Sequence, residues 1–208
     1  MFDISIVIVV FNGYGVFIPR LLETIKHQTV QPKEIIIVLG GNSGLKKQIE
    51  GVRIINTGRG TMGALRNKGL QVAKTEWVLY FSADDVLLPN AIEEIKNQSE
   101  NDIVALKYFD RDEIVHTPEV KKELMYKWEE LYIGAGGYVA FRKGLRYENT
   151  NFPNFPLLFS AMSKGYKFAV TNNPCAIYCK RLDSHSSKGF QGEGIREIGK
   201  YAKRHIPR

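Results

Sequence analysis

The chain has 208 residues, enough for one substantial hydrophobic core and short for two. With 44% hydrophobic and 25% charged residues it sits at the globular average, which excludes a disordered chain. Lys plus Arg outnumber Asp plus Glu by 29 to 22, and the resulting charge of +7 favours anionic partners such as nucleotide phosphates, nucleic acid or an acidic membrane surface without choosing among them.

Residues 4–11 are β-branched and almost uninterrupted, the composition of a strand buried on both faces inside a parallel sheet. Asn12-Gly13 and Gly15 break the run. The segment 16–28 then carries Phe17, Leu21, Leu22 and Ile25 at helical spacing, with Pro19 in its first turn. A second buried strand over 34–39 ends in the loop Gly40-Gly41-Asn42-Ser43-Gly44 and completes a βαβ unit. Residues 52–56 read as a short strand, the glycine-punctuated 58–63 as a loop, 64–74 as a helix, and 77–81 as a strand cut off by Ser82-Ala83-Asp84-Asp85. Pro89 marks the start of a helix running to Gln98. Strands alternating with helices over 1–107 predict an α/β fold, a mixed and mostly parallel central sheet flanked by helices in the Rossmann manner.

The second half reads differently. Residues 102–109 are strand-like, 110–118 a polar loop or hairpin, and 120–131 a helix. A short strand follows over 138–141, a helix over 155–164, and two further strands over 168–170 and 176–178. A last helix over 192–205 gathers Ile195, Ile198 and Ala202 on one face, with Arg196, Lys200, Lys203 and Arg204 elsewhere. No repeat or linker divides the chain, so one domain is expected over 1–208, made of a first half (1–107), a second half (108–190) and a basic C-terminal helix (191–208). Cys175 and Cys179 are too few for a disulfide framework or a four-ligand zinc site, and free thiols are expected over a bridge. No apolar run reaches the roughly 18 to 20 residues of a membrane span. Asp3 precedes the first apolar run without a basic flank, unlike a secretory signal. The expected location is cytoplasmic.

In an open α/β sheet, ligands gather outside the carboxyl ends of the strands. Four polar breaks fall at such ends: Phe11-Asn12-Gly13, the loop 40–44, the loop 58–63, and Ser82 to Asp85. If their strands are neighbours, the breaks converge on one crevice where Gly and Asn let backbone N–H groups approach a small molecule. Asp84-Asp85 is the most pointed of them. Adjacent carboxylates after an apolar strand repel unless something positive compensates, either a Mg²⁺ or Mn²⁺ ion held with phosphate oxygens or the N-terminus of the following helix.

Three segments, 5–12 (SIVIVVFN), 63–69 (GALRNKG) and 80–85 (YFSADD), together resemble the family 2 glycosyltransferases. The likeness continues through 136–143 and 165–169 to about 187. It implies a single-domain GT-A fold, a nucleotide-sugar donor (a UDP- or GDP-sugar), a divalent metal, Mn²⁺ or Mg²⁺, and transfer of the sugar to an acceptor hydroxyl with inversion. The halves divided at residue 107 then become a nucleotide-sugar-binding half and an acceptor half. The resemblance implies that Phe11 and Asn12 line the pocket for base and ribose, that Arg66 and Asn67 lie near the donor, that Asp84 binds the metal, and that Asp85 supports it or holds the ribose. His185 matches a distal histidine that reaches the metal or diphosphate. Arg66 is also a forked donor suited to phosphate or carboxylate, against a reading as a helix-surface salt bridge. The lone His185, beside Lys180 and Arg181, also reads as a surface residue.

The chain departs from the family pattern in places that matter. Where the family has Val-Asp-Asp-Gly-Ser, this sequence has Val38-Leu39-Gly40-Gly41-Asn42, so the acid that grips the base is absent and Asn42 or Ser43 is left to supply hydrogen bonds. Ser82 replaces the first acid of the Asp-x-Asp-Asp segment. Counting back from Gly165 puts Pro153-Asn154 where the acidic pair with the catalytic base is expected, which leaves Glu148 as a substitute base or as a solvated loop residue. The expected activity is therefore a metal-assisted glycosyltransferase. The alternative is a degenerate member that binds nucleotide-sugar or glycan without turnover. The acceptor is an unidentified glycan, lipid-linked or protein molecule. The basic last helix, if not simply packed on its apolar face, suggests peripheral contact with anionic headgroups. Nucleic acid is disfavoured, because the basic residues form no stripe interleaved with stacking aromatics.

Overall fold

A computed structural model describes residues 2–45, 48–110, 115–117, 138–150 and 154–179. The chain order is β1 (Ile4–Phe11), a 3₁₀ turn (Tyr14–Phe17), α1 (Ile18–Lys26), β2 (Glu34–Gly40), β3 (Val52–Asn56), α2 (Met62–Val72), β4 (Trp77–Ser82), β5 (Val86–Leu87) and α3 (Ala91–Asn97). It continues with β6 (Ile103–Phe109), β7 (Val115–His116), β8 (Val139–Arg142), α4 (Asn154–Ser163) and β9 (Phe168–Ile177). Among the described residues these nine strands form one sheet in the order β3-β2-β1-β4-β8-β6-β9-β5, with β7 paired to β6.

The apolar run of β1, interrupted by Ser5 alone, follows from its central place. Ile4, Ile6, Ile8 and Val10 point to one face and pack with Ile18, Leu21 and Ile25 of α1 and with Ile92 and Ile95 of α3. Val7 and Val9 point to the other and pack with Leu65 and Leu70 of α2 and with Leu157 and Leu158 of α4. Both faces of the strand are therefore buried, and neither tolerates the polar alternation of a half-exposed strand. Gly69 sets the closeness of α2, since a Cβ there would fall 2.3 Å from Val7 Cγ1.

β1 lies parallel to β2 on one side and to β4 on the other, and β2 is parallel to β3. The chain runs outward from β1 to β3 and then returns across β1 to β4. This reversal is the topological switch point, where a crevice opens beyond the carboxyl ends. β8 is antiparallel to both β4 and β6, and β9 is parallel to β6, so the sheet is mixed but mostly parallel in its first half.

Two expectations change in detail and one open alternative is decided. The helix expected from Pro89 starts at Ala91, and Val86–Leu87 forms a short strand antiparallel to β9, so the Asp84-Asp85 pair does not cap a helix. Within the loop or hairpin expected over 110–118, Val115–His116 is a short strand antiparallel to β6, in keeping with the hairpin. The two strands expected over 168–170 and 176–178 are one strand with register shifts against β6. Side chains bridge the polar interruption: Thr171 Oγ1 accepts from Lys107 N at 3.0 Å, and Glu94 accepts from the amides of Asn172 and Asn173 at 2.8 and 3.3 Å. Both cysteines are free, Cys175 buried and Cys179 half-buried. The helices expected over 120–131 and 192–205 lie outside the described residues.

Candidate active site

Sheet register sets the depth of the crevice. Phe11 pairs with Gly40 and Val9 with Ser82, so Phe11 and Gly40 stand at one level and the turn carrying Asp84 follows directly on the neighbouring carboxyl end of β4. Phe11 is half-buried and Asn12 exposed. Both lean on the glycines of the β2 loop. A Cβ on Gly40 would meet Leu65 Cδ1 at 2.4 Å and the Phe11 ring at 3.2 Å, and one on Gly41 would meet Asn12 Oδ1 at 2.7 Å. The space that an acid at position 40 would take is thus filled by a leucine and an aromatic ring. Asn42 is exposed, whereas the buried Ser43 accepts from Gly15 N through its carbonyl (3.0 Å) and from Leu45 N through its hydroxyl (3.2 Å). Asn42 is the side chain of this loop open to a ligand.

The turn after β4 divides its two acids. Asp84 is half-buried, while Asp85 is only 1% exposed and points inward. Asp85 Oδ2 accepts from Tyr138 Oη at 2.6 Å, and Oδ1 accepts from Cys179 N at 2.8 Å. Burial, together with the charge of Asp84, raises its carboxyl to about 7, although hydrogen bonds from Tyr138, the Cys179 amide and Ser82 pull it down. Burial and the facing acid likewise push the Tyr138 hydroxyl well above the usual phenol range. Arg20 of α1 donates to the Asp84 carbonyl and lies 3.9 Å from Cys179 Sγ. The turn is therefore gripped from α1, β8 and the end of β9.

A second cluster forms around Arg66. Its guanidinium stacks over Tyr80 and Tyr147, 5.3 and 5.1 Å from the ring centroids, and donates to Asn154 Oδ1 at the start of α4. The Tyr80 hydroxyl donates back to the Arg66 carbonyl. Burial raises the Tyr147 hydroxyl to about 12 while the Arg66 charge draws it down, yet no partner reaches that hydroxyl with hydrogen-bonding geometry. Asn67 spends its amide on the backbone of Tyr147, donating to its carbonyl at 2.8 Å and accepting its N–H at 2.9 Å.

Glu148 lies on an exposed stretch of the loop 145–150. Its carbonyl touches α2: a Cβ on Gly63 would fall 1.8 Å from it, and Gly63 N donates to Thr150 O at 2.9 Å. The sheet register thus gathers Phe11, Asn12 and the Asp84-Asp85 turn at the switch point. Arg66 and Asn67 of α2 pack on the loop 145–150, which carries the exposed Glu148. His185 lies outside the described residues.

Sequence reasoning did not single out Arg20, Tyr138 or Tyr147. Tyr138 carries a usable signal, because it opens the strand that pairs with β4 beside the acidic turn. Arg20 and Tyr147 come into place through tertiary packing and leave none.

The donor set suits a hard cation. Among the described residues no three His, Cys, Asp or Glu side chains form a closed cage. One half-buried carboxylate, backed by a second that is buried and held in place, matches an ion that takes one or two protein carboxylates and completes its shell with substrate phosphate and water.

Comparison with known proteins agrees with this architecture. The model of glycosyl transferase family 2 matches residues 5–186. Glycosyltransferase GlyG of Streptococcus pneumoniae is 32% identical over 122 residues, which is 53% of this chain and 40% of that protein. The chain spans less than half the length of the curated relatives it matches. Among solved structures, S. aureus TarS 1–349 in complex with UDP-GlcNAc superposes with a TM-score of 0.73 at 14% identity, covering 98% of this chain and 66% of that one. Glucosyl-3-phosphoglycerate synthase of Mycobacterium tuberculosis, solved with Mn²⁺, UDP and phosphoglyceric acid, gives a TM-score of 0.67 at 15% identity over 99% of this chain and 80% of that one. The fold is GT-A, and the chain belongs to glycosyl transferase family 2.

Proposed function

We propose that the chain moves a sugar from a UDP- or GDP-sugar to an acceptor hydroxyl, assisted by Mn²⁺ or Mg²⁺ and with inversion at the anomeric carbon. The observation that carries this reading is Asp84, half-buried in the turn that follows the carboxyl end of β4 at the switch point and next to the buried Asp85. In this reading Phe11 and Asn12 receive base and ribose, with Asn42 as the hydrogen-bonding side chain of the β2 loop. Asp84 holds the cation, with His185 as a second ligand, and Asp85 holds Asp84 in place. Bound there, a divalent ion stabilises the charge that builds on the departing diphosphate. Neighbours solved with UDP-GlcNAc and with Mn²⁺ and UDP support the donor and metal classes.

Arg66 and Asn67 occupy the wall where the transferred sugar meets the acceptor. Asn67 acts there by fixing Tyr147, and Tyr147 in turn supports Arg66. The proton of the attacking hydroxyl goes to Glu148, the exposed acid of that wall. The acceptor is a glycan, lipid-linked or protein hydroxyl, and the +7 charge suits a cytoplasmic protein working beside anionic headgroups. No helix among the described residues is long and apolar enough to cross a membrane.

One observation favours a second reading, binding of nucleotide-sugar or glycan without turnover: the residue at the acid position of α4 is Asn154, engaged by Arg66. A panel of UDP-, GDP- and dTDP-sugars with Mn²⁺ separates the two. Hydrolysis or transfer that disappears in Asp84→Ala supports the transferase. Metal-dependent nucleotide binding with no turnover of any donor supports the binding protein.

A further inference from the structure

We infer that Arg66, Tyr147 and Asn154 form a seat for an oxyanion, a carboxylate or phosphate ester, carried by the acceptor. The inference rests on the transferase reading above and names the chemical class of its acceptor. Arg66 is half-buried between two aromatic rings, and its hydrogen-bonding partner, Asn154 Oδ1, is neutral. No carboxylate among the described residues lies within ion-pair distance of it. A cation withdrawn from water without a counter-ion is costly, and an anionic ligand removes that cost.

The second observation is independent. Tyr147 is 4% exposed, and its hydroxyl, close enough to Arg66 for the guanidinium to draw it down, meets no group in full hydrogen-bonding geometry. A buried hydroxyl left unpaired beside a guanidinium is a donor awaiting an acceptor oxygen. Position assigns the seat to the acceptor. Arg66 reaches Tyr147 and Asn154, both in the second half of the chain, the half read as the acceptor side. A carboxylate at position 154 would pair with Arg66 and close the seat. The carboxamide of Asn154 orients the guanidinium and leaves its charge in place.

The test is equilibrium binding to the full chain of methyl β-glucuronide and glycerol 3-phosphate, with methyl β-glucoside and glycerol as neutral controls and Mn²⁺–UDP and Mn²⁺–GDP as separate arms. The wild type binds the two anions with dissociation constants on the order of millimolar and the neutral controls at least about ten-fold more weakly. Arg66→Gln and the near-isosteric Asn154→Asp each abolish that preference, while Mn²⁺–UDP binding changes less than about two-fold. Equal binding of anions and controls overturns the seat. So does an Arg66→Gln variant that loses Mn²⁺–UDP as strongly as the anions, because the guanidinium then serves the donor diphosphate. A wild type that ignores Mn²⁺–UDP and Mn²⁺–GDP alike yet keeps an Arg66-dependent anion preference upholds the seat and overturns the transferase reading alone.

Discussion

Tyr138 donates its hydroxyl proton to Asp85 Oδ2 at 2.6 Å, so a phenol and a carboxyl share a hydrogen bond beneath the turn that presents Asp84. The acid is buried, and its folded pKa is raised from 3.8 to about 7 by burial first and by the Asp84 charge second. Between those values the folded chain holds a proton that the unfolded chain has released. Stability from this group is therefore greatest below about pH 4 and falls as pH rises to about 7. Urea unfolding in EDTA from pH 4 to 8 shows that slope in the wild type, worth on the order of a few kcal/mol, and a flatter profile in Asp85→Asn. Tyr138→Phe removes a bond that lowers the pKa, so its decline extends to higher pH. An unchanged slope in Asp85→Asn would show that Asp85 does not titrate in this way.

Gly63 is the contact through which α2 supports the loop of Glu148. A methyl group there would sit 1.8 Å from the Glu148 carbonyl, a backbone atom that moves only if the loop moves. Gly63→Ala is expected to cost about 1–3 kcal/mol in chemical denaturation. It should also speed hydrogen exchange at the Gly63 amide, now held by Thr150 O. A wild-type midpoint in this variant would mean that the loop yields without cost.

Asn67 reads from its segment as a donor-binding residue, but its amide is the clamp on Tyr147. Asn67→Ala leaves the N–H and the carbonyl of a buried residue without partners and is expected to cost about 2–4 kcal/mol. Asn67→Asp keeps the acceptor and loses the donor, so it should fall between Ala and wild type. If both variants unfold at the wild-type midpoint, Asn67 is not structural and direct donor contact is the better role.

Strands were legible where burial was complete. Residues 4–11 and 77–81 read as interior strands because they are almost wholly apolar, with Ser5 the one polar member, and both faces meet the core. The α/β class and the acidic turn followed from that pattern alone. The irregular part of β9 was not legible, since Thr171-Asn172-Asn173-Pro174 has loop chemistry and is held in the sheet by Thr171 and by Glu94 from another element. The site divides in the same way. Asp84 sits at a strand end that periodicity locates, whereas Arg20, Tyr138 and Tyr147 reach the site from 64, 53 and 80 positions away from their partners Asp84, Asp85 and Asn67. Local pattern cannot carry such pairings.

Glu94 joins that irregular strand to the site. It lies 7% exposed on α3 and accepts from Asn172 N at 2.8 Å, from Asn173 N at 3.3 Å and from Asn173 Nδ2 at 2.6 Å. Removing the carboxylate strands three donors at the point where β9 leaves register with β6. Glu94→Ala is therefore expected to cost about 2–4 kcal/mol, and Glu94→Gln less, since one oxygen remains. The effect should travel along β9 to Cys179, whose amide holds Asp85. Faster hydrogen exchange at the Cys179 amide and weaker Mn²⁺–UDP binding are expected together in the Ala variant. Loss of stability with unchanged exchange at Cys179 would confine Glu94 to the bulge and leave the acidic turn independent of it.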